Sequence, residues 1–219
     1  FMWPQYAVEP ARNNLRVTLH ALRQALGQTD VGKSLDQEYV VFVDGHFALD
    51  ADRKLWIDVD EFDADFESGV RLERQNRIPE AMRAYERAEI LYRDDYLVED
   101  LYEDWAGARR ERLKDQYLLL VTKLADYSLK QGDAFGCIVR CHKILQKDAC
   151  REDAYVRLMR CYRQLGQPSR ALHWYDICAR TLRKELDVGP SDPTNHLAAR
   201  IRAGQNQPFG LVQPDLEHV

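Results

Sequence analysis

Two stretches of the chain decide how the rest of it is read: Lys130-Gln131-Gly132-Asp133-Ala134-Phe135-Gly136-Cys137-Ile138-Val139-Arg140-Cys141 and Gln164-Leu165-Gly166-Gln167-Pro168-Ser169-Arg170-Ala171-Leu172-His173-Trp174-Tyr175. Laying Gln131-Gly132 on Leu165-Gly166 gives an offset of 34 residues. The same shift sets Leu124 on Leu158, Cys137 on Ala171 and Cys141 on Tyr175. A third copy, Asn76-Arg77-Ile78-Pro79-Glu80-Ala81-Met82-Arg83-Ala84-Tyr85, fits at an offset of 56 and brings Ala81 over Cys137. Its longer offset implies an insertion of about two turns per helix around residues 92–108. Small residues at Ala81, Cys137 and Ala171 let neighbouring helices approach closely.

Thirty-four residues is the tetratricopeptide period. One helical hairpin cannot bury its own apolar face, whereas stacked hairpins share a continuous core and leave a groove along one side. Apolar periodicity from residue 59 onward predicts helices over 59–75, 79–92, 100–131, 134–146, 151–165, 168–185 and 192–203. Ser191 or Asp192 is placed to cap the last of these, and its Leu197 and Ile201 would cover the final hairpin. Residues 205–219 are polar and irregular and read as a flexible tail.

Working outward to the other end, Pro10 suits a helix start, and Leu15, Leu19, Leu22 and Leu26 form one apolar stripe before Gly27. The opposite face shows Arg12, Asn13, Arg16, Val17, His20, Arg23 and Gln24, and residues 10–26 contain three arginines and no acid. Asp44-Gly45, between the apolar runs 39–43 and 46–49, predicts a two-residue β-hairpin. The chain starts abruptly at Phe1-Met2-Trp3-Pro4 and reads as a fragment. The fold class is therefore mainly α: tetratricopeptide-like repeats after a helix and a β-hairpin.

Composition bounds the function. At 219 residues, 45% hydrophobic, 31% charged and a mean hydropathy of −0.53, the chain is an ordinary soluble one. Its longest apolar stretch, 117–122, cannot span a bilayer, and no export signal is visible, so a cytoplasmic setting without membrane contact is expected. Residues 57–104 carry sixteen acids against six bases, and residues 105–219 thirteen against nineteen, a polarity that suits either a partner-facing surface or solvated helix faces. Within the second block, Arg109, Arg110, Arg112 and Lys114 could face an acidic peptide or nucleic acid. Cys137, Cys141, His142 and Cys150 invite a metal reading, but the repeat register already explains the first two as packing residues, and no metal site is expected. The acids Asp58, Asp60, Glu61, Asp63, Asp65 and Glu67 open a helix whose buried stripe is Phe62, Phe66 and Val70, and they lack the glycine of a calcium loop. No phosphate loop, nucleophile elbow or zinc-protease motif is present, so neither an enzyme nor a cofactor is expected.

Three segments together carry a resemblance: Ala11-Arg12-Asn13-Asn14-Leu15-Arg16-Val17-Thr18-Leu19, the junction Asp58-Val59-Asp60-Glu61-Phe62, and Leu182-Arg183-Lys184-Glu185-Leu186-Asp187-Val188-Gly189-Pro190-Ser191. With the repeats, they make the chain similar to the bacterial transcriptional activator domain that follows a winged helix in the Streptomyces antibiotic regulatory protein family. The resemblance implies that residues 1–55 are the C-terminal part of a winged-helix DNA-binding domain, with 10–26 as recognition helix and 39–49 as wing. It implies that 56–204 are the activator domain. The protein would then be a transcriptional activator anchored at promoter DNA by this helix and wing, with Arg12, Asn13, Arg16, Val17, His20, Arg23 and Gln24 of the helix as the DNA-binding residues. Its repeats would meet RNA polymerase, another regulatory protein or a second copy of the chain. Since the earlier half of a winged helix is missing, these residues alone should bind DNA weakly and the intact parent strongly. The alternative is a tetratricopeptide-type scaffold, or the output module of a larger signalling protein, with no DNA binding of its own.

Overall fold

Residues 6–27, 39–50, 56–100 and 104–204 are described by the computed structural model. The elements run α1 (Val8–Gly27), β1 (Val40–Val43), β2 (His46–Leu49), α2 (Asp58–Arg74), α3 (Ile78–Leu91), a one-turn 3-10 helix (Val98–Asp100), α4 (Asp104–Lys130), α5 (Ala134–Lys147), α6 (Glu152–Gln164), α7 (Pro168–Leu186) and α8 (Asp192–Arg202). They fall into two units, Phe1–Trp56 and Ile57–Val219.

In the second unit the sequence offsets reappear in the backbone. Asn76, Gly132 and Gly166 take left-handed φ values of 59°, 78° and 72°. Beside them, Arg77 N–H donates to Leu72 O, Asp133 to Ser128 O and Gln167 to Tyr162 O, at 2.9, 2.9 and 2.8 Å. These bonds satisfy carbonyls that a helix end leaves orphaned, and a left-handed residue at the break is what makes them possible. The helices so ended pair as hairpins α2/α3, α4/α5 and α6/α7, with α8 against α7 and α6. Ala81, Cys137 and Ala171 are all fully buried where the hairpins close. Leu120, Leu124, Ile144, Leu158 and Met159 extend one core along the stack, and Leu197 and Ile201 of α8 cover its end as expected.

Three expectations are corrected. The insertion in the first copy is not shared between two helices: α3 has the same 14 residues as α5, whereas α4 has 27 against 13 for α6. After α3, Leu97 turns with φ 48° ahead of the 3-10 turn Val98–Asp100, so residue 100, expected to open a long helix, ends that turn, and α4 is described from Asp104. At α8, Ser191 holds the N-cap position but its side chain does not cap. Glu152 of α6 takes both its N–H and its hydroxyl, at 2.8 and 2.6 Å, so a carboxylate from another helix occupies the N-terminal end of α8. The expected tail, 205–219, lies outside the described residues.

In the first unit, α1 begins at Val8, two residues before Pro10, which the first turn tolerates because its N–H has no helical acceptor there. Leu15 and Leu19 are half-buried and Leu22 is exposed, so the leucine stripe is only partly covered among the described residues. Asp44 and Gly45 adopt φ 51° and 80°, the pair of positive values a two-residue turn of this hand requires. That turn fixes the register Val40↔Leu49, Val41↔Ala48, Phe42↔Phe47 and Val43↔His46. Val40 is buried, whereas Phe42 and Phe47, with ring centroids 4.8 Å apart, are exposed.

Candidate nucleic-acid interface

All seven residues of the expected reading face, Arg12, Asn13, Arg16, Val17, His20, Arg23 and Gln24, are exposed on α1. At about 100° per residue they span an arc of roughly 140°. Arg12, Arg23 and Arg16 form the edge next to the leucines; His20, Asn13, Gln24 and Val17 form the other side. The three arginines are not equivalent. Starting the helix at Val8 brings Glu9 onto it, and Arg12 pairs with that residue at 3.0 Å, an exposed contact worth little. Arg23 donates through Nη2 to Val40 O at 3.1 Å and so ties the helix to the buried end of β1. Arg16 makes no hydrogen bond or ion pair with another described residue. In the hairpin expected as the wing, residues 39–50 contain no lysine or arginine, Asp44 sits at the tip, and His46 bonds back to Asp44 O at 2.9 Å.

The charge polarity of the sequence is largely consumed inside the second unit. Arg109 pairs with Asp60 at 3.2 Å and Arg112 with Asp63 at 2.8 Å, joining α4 to the start of α2. Arg110 is buried and donates to Tyr96 O and Leu97 O at 2.7 and 3.0 Å, holding the irregular connection. Three cations of the basic run, Arg109, Arg110 and Arg112, are thus engaged within the unit, and Arg109 and Arg112 stay partly exposed. Further along, Lys123 meets Glu73 at 2.8 Å, Lys143 meets Glu89 at 2.8 Å, and Lys147 meets Asp94 and Asp95 at 3.0 and 2.9 Å. Burial works against the Asp95 carboxylate, yet Lys147 and the Tyr92 hydroxyl outweigh it and hold the carboxyl below its usual range. Of the opening acids of α2, Asp60 and Asp63 belong to this seam, and Asp65 pairs inside the first hairpin with Arg87 at 2.6 Å. Periodicity alone could not show this, because the partners stand about fifty residues apart.

Where α4, α6 and α8 meet, a cavity of about 420 Å³ is lined by Asp126, Asp153, Arg157, Arg160, Ser191 and Thr194 among others. Arg157 is only 11% exposed and is gripped bidentately by Asp126 at 2.7 and 2.9 Å and by Asp153 at 2.6 Å. Burial would lower the Arg157 pKa, but the two carboxylates outweigh it and raise it. Burial likewise opposes the Asp153 carboxylate, and hydrogen bonds from Arg151 and Arg157 more than compensate.

The cysteines divide between two clusters. Cys137 and Cys141 stand with sulfurs 3.9 Å apart in the main core together with Cys161, all three fully buried. Cys150 packs instead with Tyr155, Cys178 and Leu182, and the His142 ring lies 5.1 Å from Trp174. Donation to Cys137, and after it burial, pushes the Cys141 and Cys161 thiols up, while those same contacts lower Cys137. Among the described residues no group of three or more His, Cys, Asp or Glu could hold a metal ion.

Three stacked hairpins with a closing helix define a tetratricopeptide-like repeat protein, and here the repeats follow a unit built from a helix and a hairpin. The chain belongs to the bacterial transcriptional activator domain family, whose model matches residues 57–202. It is similar to the transcriptional regulatory protein MoaR1 of Mycobacterium tuberculosis, 26% identical over 200 residues that make up 91% of this chain and 63% of that protein. MoaR1 of Mycobacterium bovis matches with the same identity and coverage. The chain thus spans 63% of the length of these curated relatives. Among solved structures, Mycobacterium tuberculosis EmbR in complex with a low-affinity phosphopeptide shares the fold, with a TM-score of 0.62 and 20% identity over 94% of this chain and 53% of that one.

Proposed function

We propose that the chain is part of a transcriptional regulator, in which α1 contacts promoter DNA and the helical repeats contact a protein, either RNA polymerase, another regulator or a second copy. The observation that carries this reading is the exposed face of α1: seven exposed residues, acid-free from residue 10 to 26, ahead of a repeat unit of the activator-domain family. Similarity to two transcriptional regulatory proteins supports it. The domain assignment follows, with residues 1–55 as the end of a winged helix and 56–204 as the activator domain, in a non-enzymatic protein working in the cytoplasm. No helix of the described residues is long and apolar enough to cross a membrane. DNA contact is assigned chiefly to the helix, since residues 39–50 of the hairpin carry no lysine or arginine for phosphates.

Arg16 is the side chain that separates this reading from a scaffold without DNA binding. In a salt-titrated binding assay on the full-length protein, Arg16→Ala should weaken promoter binding and reduce the slope of log K against log salt by about 1. An unchanged affinity and slope would favour the scaffold. Arg23→Ala is the poorer probe, since it also releases the tie to Val40.

A further inference from the structure

We infer that α1 reads the C5-methyl group of a thymine through Val17, with Asn13, His20 and Gln24 set against neighbouring base edges and the arginine edge set against phosphates. The inference rests on the DNA-contact reading above and goes beyond it by naming the chemical group recognised.

Among the described side chains of α1, three large apolar ones are exposed: Val8, Val17 and Leu22. Val8 and Leu22 fall on the leucine side, leaving Val17, 62% exposed, as the one bulky hydrocarbon among the polar residues of the exposed face. Its helix neighbours on that face are Asn13 at i−4, His20 at i+3 and Gln24 at i+7. Solvent rewards none of this, because a β-branched side chain is a weak helix former and an exposed one buries nothing. A duplex supplies the missing counterpart in one form, for the only hydrocarbon displayed in the major groove is the thymine methyl. Asn13, Val17, His20 and Gln24 lie in one row about 16 Å long, which at about 3.4 Å per step covers four to five base pairs. The arginines fall beside that row, not in it. Arg23 is drawn to the hairpin by Val40 O, and Arg12 and Arg16 share its edge, where a strand backbone would pass.

The test begins with a randomised duplex pool selected by the full-length protein, followed by replacement of each thymidine in the enriched site by deoxyuridine, which deletes the methyl and keeps the pairing. The wild type should lose affinity about 3- to 10-fold at one thymidine. Val17→Ala should start weaker by a similar factor and be indifferent to uracil there, while Val17→Thr, which keeps a methyl, should keep the uracil penalty. Arg16→Ala should weaken binding while retaining that penalty. Alanine favours the helix, so a loss in Val17→Ala cannot be put down to an unfolded α1. An enriched site with no uracil penalty, or a penalty that persists in Val17→Ala, overturns the inference and leaves the DNA reading standing, with Val17 then facing protein. A pool that yields no enriched sequence overturns both.

Discussion

Gly69 lies within α2, where alanine would ordinarily gain roughly 0.5–1 kcal/mol over glycine. Here a Cβ would stand 2.6 Å from Cδ1 and 2.8 Å from Cζ of Tyr85. That ring is fully buried, its hydroxyl donates to Glu73 at 2.7 Å, and Phe66 lies against it at 6.0 Å between centroids, so it has nowhere to withdraw. Overpacking of this kind costs about 1–3 kcal/mol and outweighs the helix gain. Gly69→Ala should therefore lower Tm by several degrees, at about 2–4 °C per kcal/mol for a chain of this size. Gly107 in α4 has nothing within 4 Å of the added carbon, and Gly107→Ala should raise Tm slightly. Matching thermal melts decide the point: two shifts of the same sign would mean that packing against Tyr85 is not what keeps Gly69. The sequence could not distinguish these glycines, because what forbids a side chain at residue 69 is an aromatic ring sixteen residues on, in the facing helix. Residues 12–24 were legible for the opposite reason, since exposure on one helix face follows from spacing alone. Arg23 shows where that legibility ends: its bond to Val40 O needs the hairpin in place.

The repeat register was readable among the elements because the helix breaks impose their own chemistry. A left-handed residue at 76, 132 and 166 leaves Asn or Gly in the sequence, and the offsets of 56 and 34 follow from them. The cap on α8 was misread because Ser191 looks like a local cap, while Glu152, 39 residues earlier, takes its hydroxyl. Contacts between hairpins are likewise invisible in a local window, and Arg157 makes a bidentate one. It joins α6 to α4 through both oxygens of Asp126 while also holding Asp153. Its guanidinium is nearly buried, but Asp126 and Asp153 are 47% and 40% exposed, so solvent screens part of each pair. Removing one partner of a fully buried pair costs about 3–5 kcal/mol and of an exposed one under about 1, which places Arg157→Ala at about 1–2 kcal/mol. Urea unfolding should show that loss with the m-value unchanged. Arg157→Lys should recover only a fraction, since an ammonium cannot grip Asp126 bidentately; full recovery would mean that charge alone matters at this junction.

At the scale of the molecule, Asp60, Asp63, Glu73, Glu89, Asp94 and Asp95 of the acidic block and the bases that follow make a seam between the first hairpin and the second, from Asp60–Arg109 at one end to Asp94 and Asp95 with Lys147 at the other. Block charges in the sequence showed the asymmetry but not its destination, because pairing requires the two hairpins to be stacked. The carboxyls of Asp95, Asp153 and Glu152 are all held below their ordinary values, in each case by hydrogen bonds that outweigh the opposing effect of burial. A carboxyl whose folded pKa is depressed contributes stability that is complete above its unfolded value, about 4, and is lost as pH falls through the lower folded value. Tm should accordingly be flat from pH 7 to about 5 and fall steeply below about 4. Salt probes the same seam by another route. Raising ionic strength from 0.1 to 1 M shortens the screening length from about 10 to about 3 Å, and the exposed pairs of the seam lose more than the nearly buried Arg157. Hydrogen exchange at neutral pH should then quicken in α2 and α3 while α6, α7 and α8 keep their protection. A response spread evenly over all seven helices of the second unit would mean that the apolar core, and not the charge seam, holds the first hairpin to the stack.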